Sequence, residues 1–193
     1  MAPCCGHKNF SITNVKLTLK MNKLVVFDDN NPRILIHETN NIRIYHVNCL
    51  SLTVFRSKDH GFQSKYVHAT GTSCYCEIEG HVLQSIVDVS NIRHSDCEYI
   101  RVGSISFTHK TRLGLKSRFL KMSPAFYQTH DVRIPRKFPG LVLKKLHKST
   151  TGLLFNSGHL IGTGARRPQQ IFEFIAKFNN LVAEVDAMLA SEG

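Results

Sequence analysis

Lys137–Arg166 reads KFPGLVLKKLHKSTTGLLFNSGHLIGTGAR. Three short apolar-rich runs, Leu141–Leu146, Thr151–Phe155 and Gly158–Gly162, are punctuated by a basic turn and by Asn-Ser-Gly. Runs of this length and punctuation predict successive strands. Phe138 stands just ahead of the first, Phe155 closes the second, and Thr163-Gly164 ends the third. Beyond Pro168, Ile171, Phe174, Ile175, Phe178, Leu181, Val182, Val185 and Leu189 recur at three- and four-residue steps. That period predicts an amphipathic helix with Pro168 in its first turn and with Phe172 and Phe174 in the core.

A weaker copy of the pattern precedes it. Leu52-Thr53-Val54-Phe55 is followed by Thr70-Gly71 and then by a helical period over Cys74–Ser90, with Ile78, Val82, Ile86 and Val89 on one face. The loop between Phe55 and Thr70, RSKDHGFQSKYVHA, is seven residues longer than its counterpart. Each copy opens with a strand candidate, Ile12–Leu19 in the first and Tyr99–His109 in the second. Arg33–Ile36, Ile42–Val47, Ser51–Phe55 and Lys65–Ala69 complete the first copy's strands, and Leu113–Met122 is a basic helix candidate ended by Ser123-Pro124. Strands in succession closed by a helix, twice over, predict an α+β fold: an antiparallel sheet with helices on one face and the other face open. The expected organisation is one domain over 1–193, built of a degenerate first pseudo-repeat, 10–95, and a better matched second, 96–190.

Composition narrows the function. The chain has 193 residues, a formal net charge of +11 and 42% hydrophobic residues, which fits a globular protein with an anionic partner. The charge is lopsided: Lys110–Lys148 holds eleven Lys or Arg and one acid, Asp131, whereas Cys74–Ile100 holds five acids against Arg93. Six cysteines without a CxxC pair, and eleven histidines without HxH or HxxxH spacing, point away from metal chemistry and catalysis. No apolar run approaches a membrane span or a secretory leader, so reduced thiols and no membrane partner are expected.

The FPGL of Phe138–Leu141, the LLFNSG of Leu153–Gly158 and the GTGA of Gly162–Ala165, at their spacing, resemble the second half of TATA-binding proteins. The resemblance implies a saddle of two pseudo-repeats with helices on its convex side, and a transcription initiation factor that is not an enzyme and needs no cofactor. It would act in the nucleus on the minor groove of AT-rich, TATA-like duplex DNA. By that resemblance Phe138, Pro139 and Phe155 form one stirrup, and Leu153, Ile161, Thr163 and Val102 face the groove. Phe55, Thr70 and Asn14 are the first repeat's contacts. Lys144, Lys145, Lys148, His159, Arg166 and Arg167 would hold phosphates. These residue types suit a groove whose edges separate A·T from G·C poorly, because apolar wedges read shape and the ease of unstacking a step.

The first half departs from the family. Lys16 and Thr53 stand where apolar contacts are expected, the region Thr39–Ile42 lacks an outer phenylalanine, and Ile100 stands where a second central asparagine is expected. The second stirrup, HDVRIPRK at His130–Lys137, is basic where family members are acidic, which implies altered transcription-factor partners. Such departures fit a divergent member of the kind encoded by a large DNA virus or a fast-evolving eukaryote. They also leave a second reading: an interaction module that binds or sequesters transcription factors without bending DNA.

Overall fold

A computed structural model of the protein describes residues 10–32, 34–47, 49–72 and 78–191. Contacts cluster into two units, residues 14–103 and residues 10–13 with 104–191. In the first unit the strands are β1 (Ser11–Val25), β2 (Ile34–Glu38), β3 (Ile42–Val47), β4 (Leu50–Phe55), β5 (Ser64–Thr72) and the start of β6 (Cys97–Lys110). They lie in the order β2-β3-β4-β5-β1-β6 and are backed by α1 (Ile78–Val87). The second unit runs β6-β10-β9-β8-β7, with β7 (Val132–Arg133), β8 (Leu141–His147), β9 (Thr150–Leu154) and β10 (His159–Ala165). Its helices are α2 (Leu115–Phe119), α3 (Pro124–His130) and α4 (Pro168–Ser191). The α+β class and the antiparallel pairing are as the sequence predicts.

The internal repeat is visible in the registers. Thr53 pairs with Ile44 and His68, as Leu153 pairs with Val142 and Ile161. Gly71 and Gly164 both take a positive φ, 111° and 99°, and a Cβ on either would strike a turn carbonyl, Cys49 O or Ser149 O. Each follows a threonine at a bulge in its strand, so the Thr-Gly pair bends both sheets at the same step.

Alternation separates two faces in each unit. In the second, Leu141, Leu143, Leu154, Leu160, Ile105 and Phe107 are buried beneath α4 through Ile171, Phe174, Phe178, Leu181 and Val185. The Phe107 and Phe174 rings meet edge to face at 5.8 Å. They fit because Gly152 and Gly162 lie against them: a Cβ on Gly152 would sit 2.6 Å from the Phe174 ring, and one on Gly162 would strike Phe107. The first unit packs the same layer with the sizes exchanged. Leu52 and Ala69 replace the glycines by register, and Leu17 replaces Phe107.

Several elements differ from expectation. β1 continues to Val25, six residues beyond Leu19, because Lys20–Lys23 keep a polar side toward Glu98 and Asp96 while Met21 stays buried. α1 spans Ile78–Val87, shorter than Cys74–Ser90; residues 73–77 lie outside the described residues, and Asp88–Ser90 leave the helix for the bridge Phe27↔Ser90. The helix expected over Leu113–Met122 is only Leu115–Phe119, since Gly114 at φ 72° starts it late. α3 and β7 were not foreseen. Ser123 caps α3 by accepting from Phe126 N, and Pro124 stands at its first position, so the Ser-Pro read as a stop is a start. Phe172, expected in the core, is 38% exposed, with its ring edge on Phe10 at 5.1 Å; only Phe174 of the pair is sealed.

Candidate nucleic-acid interface

The second unit's face away from α4 is apolar and uncovered. Leu153 lies between Val142 and Ile161 across three strands, and Ile161 is paired in turn with Thr108. All four are half-buried, whereas their neighbours in sequence, His109 apart, are sealed. Thr163 is exposed on the same face and its hydroxyl shares a 3.2 Å hydrogen bond with Ser106. Val102, half-buried, shares this parity on the first unit's end of β6. Leu153, Ile161 and Thr163 are therefore brought together on one face of the second unit.

At the end of this face two aromatic rings stand outside the core. Phe138 is 40% exposed and meets half-buried Phe155 edge to face at 5.8 Å and 68°. The backbone explains the pose. Pro139 fixes its own φ, and Gly140 is needed because a Cβ there would strike the Phe138 ring. Phe155 sits one residue past β9, where its N–H donates to His159 O at 2.9 Å and closes the turn to β10. Pro139, which joins Phe138 to Gly140 ahead of β8, is exposed.

The first unit presents a different face. Phe55 is 52% exposed, with the edge of its ring on His68 at 5.3 Å. His68 and Thr53 take the places of Ile161 and Leu153, and Lys16 takes that of Ser106. The His68 ring shares a hydrogen bond with Thr18 Oγ1 at 3.0 Å, and burial, aided by the charge of Lys16, pushes its pKa below the ordinary value. Thr70 is half-buried beside it. Asn14 spends its side-chain oxygen on Gly71 N at 2.9 Å, which leaves its amide hydrogens as donors. The registers make Ser104, rather than Ile100, the counterpart of Asn14. Asn40 occupies the place of Phe138: Arg43 opposes Val54 as Leu141 opposes Leu154, and each place lies three residues earlier.

Basic groups rim the second unit. Lys144, Lys148, His159, Arg166 and Arg167 are exposed, whereas the Lys145 side chain lies outside the described residues. His159 shares a hydrogen bond with Ser157 Oγ at 3.1 Å, and the Arg166 N–H donates to Gln170 at 2.7 Å as α4 begins. A residue that sequence reading missed is Lys116 on α2, whose Nζ donates to Pro139 O at 2.5 Å. Only its place in the basic run gave a signal. Among the described residues no His, Cys, Asp and Glu cluster fit to hold a metal occurs, and no helix is long and apolar enough to cross a membrane.

Comparison with known proteins agrees with this geometry. The family described as "Transcription factor TFIID (or TATA-binding protein, TBP)" matches residues 120–185, which hold the aromatic pair and most of α4. No curated protein sequence matches. The solved structure of Methanococcus jannaschii TBP superposes with a TM-score of 0.65 at 16% identity, over 91% of this chain and 99% of that one. The fold is thus that of the TATA-binding proteins through both halves, and residues 120–185 of the second half carry the sequence likeness to that family.

Proposed function

We propose that this protein is a transcription initiation factor that binds AT-rich, TATA-like duplex DNA through the minor groove and bends it. Phe138 and Phe155 enter a base step at the second unit's end. Leu153, Ile161, Thr163 and Val102 line the groove floor, with Asn14, Thr70 and Phe55 as the first unit's contacts. Lys144, Lys148, His159, Arg166 and Arg167, together with Lys145, hold the phosphates. The carrying observation is that Phe138 and Phe155 stand outside the core at the end of an apolar sheet face that α4 does not cover. A ring pair in that position is a wedge: it gains apolar burial where a flexible step unstacks. In a cell with a nucleus the protein would act there. Its basic second stirrup implies transcription-factor partners other than a basic one.

The test is a mobility-shift titration with a TATA duplex and a GC-rich control over several salt concentrations. Preference for the TATA duplex is the expected result, and Lys144→Ala flattens the salt slope by about one while weakening both duplexes alike. Equal affinity for the two duplexes at every salt concentration would sink the reading.

The polar first-unit face, with Thr53, His68 and Asn40, favours a second reading. In it the protein captures transcription factors and does not bend DNA. Capture of such a factor, with no retardation of TATA DNA, would select it.

A further inference from the structure

We propose that Lys116 is a positioning residue for the wedge: from α2 it holds the Pro139 carbonyl and thereby sets the direction in which Phe138 leaves the sheet. The inference rests on the DNA-bending reading above and adds to it a residue that does not itself touch the groove.

The Phe138-Pro139-Gly140 turn has no strand of its own, since β8 begins at Leu141. Pro139 has no N–H, so its carbonyl is the one backbone polar group through which that residue can be tied down. Lys116 Nζ donates to it at 2.5 Å across 23 residues of sequence. A charged donor makes this bond stronger than a neutral one.

The other end of the tether is rigid. Leu115 and Phe119 on either side of Lys116 are sealed in the core. Phe119 packs on Phe126 at 6.3 Å, and its carbonyl accepts from the Tyr127 hydroxyl at 2.8 Å. Arg118 and Arg112 both pair with Asp186 of α4, which ties α2 to the long helix. On the far side of the turn the Phe138 ring is limited by Gly140 below and by the Phe155 edge at 5.8 Å. The carbonyl bond, the ring contact and the tight fit at Gly140 thus each restrict the turn. A wedge held in its inserted direction before binding loses less freedom on entering the duplex.

The alternative role for a lysine in a basic run is a phosphate contact, and the two roles separate cleanly. Lys116→Met and Lys116→Arg are compared with the unaltered protein by fluorescence transfer between the ends of a TATA duplex, by the salt slope of binding, and by NMR of the Gly140 amide in the DNA-free protein. As a positioning residue, Lys116→Met lowers the bent fraction and weakens TATA binding on the order of tenfold. The salt slope stays unchanged, the Gly140 amide becomes more mobile without DNA, and Lys116→Arg restores most of the bending. A slope reduced by about one with full bending would show a phosphate contact and overturn the proposal. An unchanged Gly140 amide would overturn it too. If the unaltered protein binds but does not bend DNA, the bending reading falls. The free-protein measurement then still decides whether Lys116 orders the turn.

Discussion

The two units share strand order, register and the Thr-Gly bend, yet their open faces carry opposite chemistry. At matched positions the second presents Leu153, Ile161 and Ser106, and the first Thr53, His68 and Lys16. Phe155 has Phe138 beside it, whereas Phe55 has the imidazole of His68. The sealed faces differ in the other sense: Gly162 opposes Phe107 in the second unit where Ala69 opposes Leu17 in the first, so the smaller and larger partners change together. Packing thus holds a duplicated fold to constant volume while the uncovered face is free to drift, because no neighbour there penalises a polar atom. The drift marks which half still needs apolar character on its outside.

The largest effect expected from this difference is on bending. Phe155→Ala or Phe138→Ala abolishes it in the fluorescence-transfer assay, and Phe55→Ala leaves a partial bend. Equal losses from Phe55→Ala and Phe155→Ala would erase the asymmetry. Next come the cores, read by urea unfolding. Phe174→Ala costs about 3–5 kcal/mol. Gly152→Ala, which overpacks the Phe174 ring, costs about 1–3 kcal/mol alone and much less in a Phe174→Leu background. Additive costs would show that the size exchange between the halves is coincidental.

Much of this was legible in the sequence where periodicity and short-range chemistry agree. The helix from Pro168, the strand Ile42–Val47 and the alternation of Leu153, Ile161 and Thr163 follow from local pattern alone. Less visible was anything set by distant packing. β1 runs on past Leu19 because its polar side chains find Glu98 and Asp96 nearly eighty residues away. Phe172 fits the helical period but lies at the edge of the buried stripe, which a period cannot locate. The Lys116 tether joins a basic run to a carbonyl, and a carbonyl carries no residue signature. Where the second unit has α2 and α3 between β6 and β7, the first has only a turn at Asp28–Asn31 among the described residues.

Re-arming the first end sharpens the comparison further. Asn40→Phe puts an aromatic ring where Phe138 stands in the other unit, on an exposed hairpin whose Asn40 carbonyl already accepts from Arg56. Apolar burial opposed by unstacking gives a gain of a few-fold up to about tenfold for TATA DNA, with a larger bend. No gain, with the fold intact by circular dichroism, would mean that the first end does not reach a base step.

The smallest effect is the one that only the first unit can show. Burial and the charge of Lys16 depress the pKa of His68, so the folded protein binds its proton less readily than the unfolded chain. Its contribution to stability is therefore complete above the ordinary histidine range, near pH ~6.5, and is lost as pH falls through that range toward the depressed value. The melting temperature should fall from pH 8 to pH 5.5 by more in the natural protein than in His68→Gln. DNA binding should move the other way. A proton on His68 adds a charge beside Lys16 on the proposed groove face, so nearby phosphates oppose the loss by favouring the protonated ring. In a His159→Gln background, which removes the other imidazole proposed to face the duplex, affinity for a TATA duplex then rises on acidification, with a steeper salt slope, and His68→Gln removes the rise. Should the rise persist in that variant, the titrating group lies elsewhere and the first unit's polar face is not against the duplex.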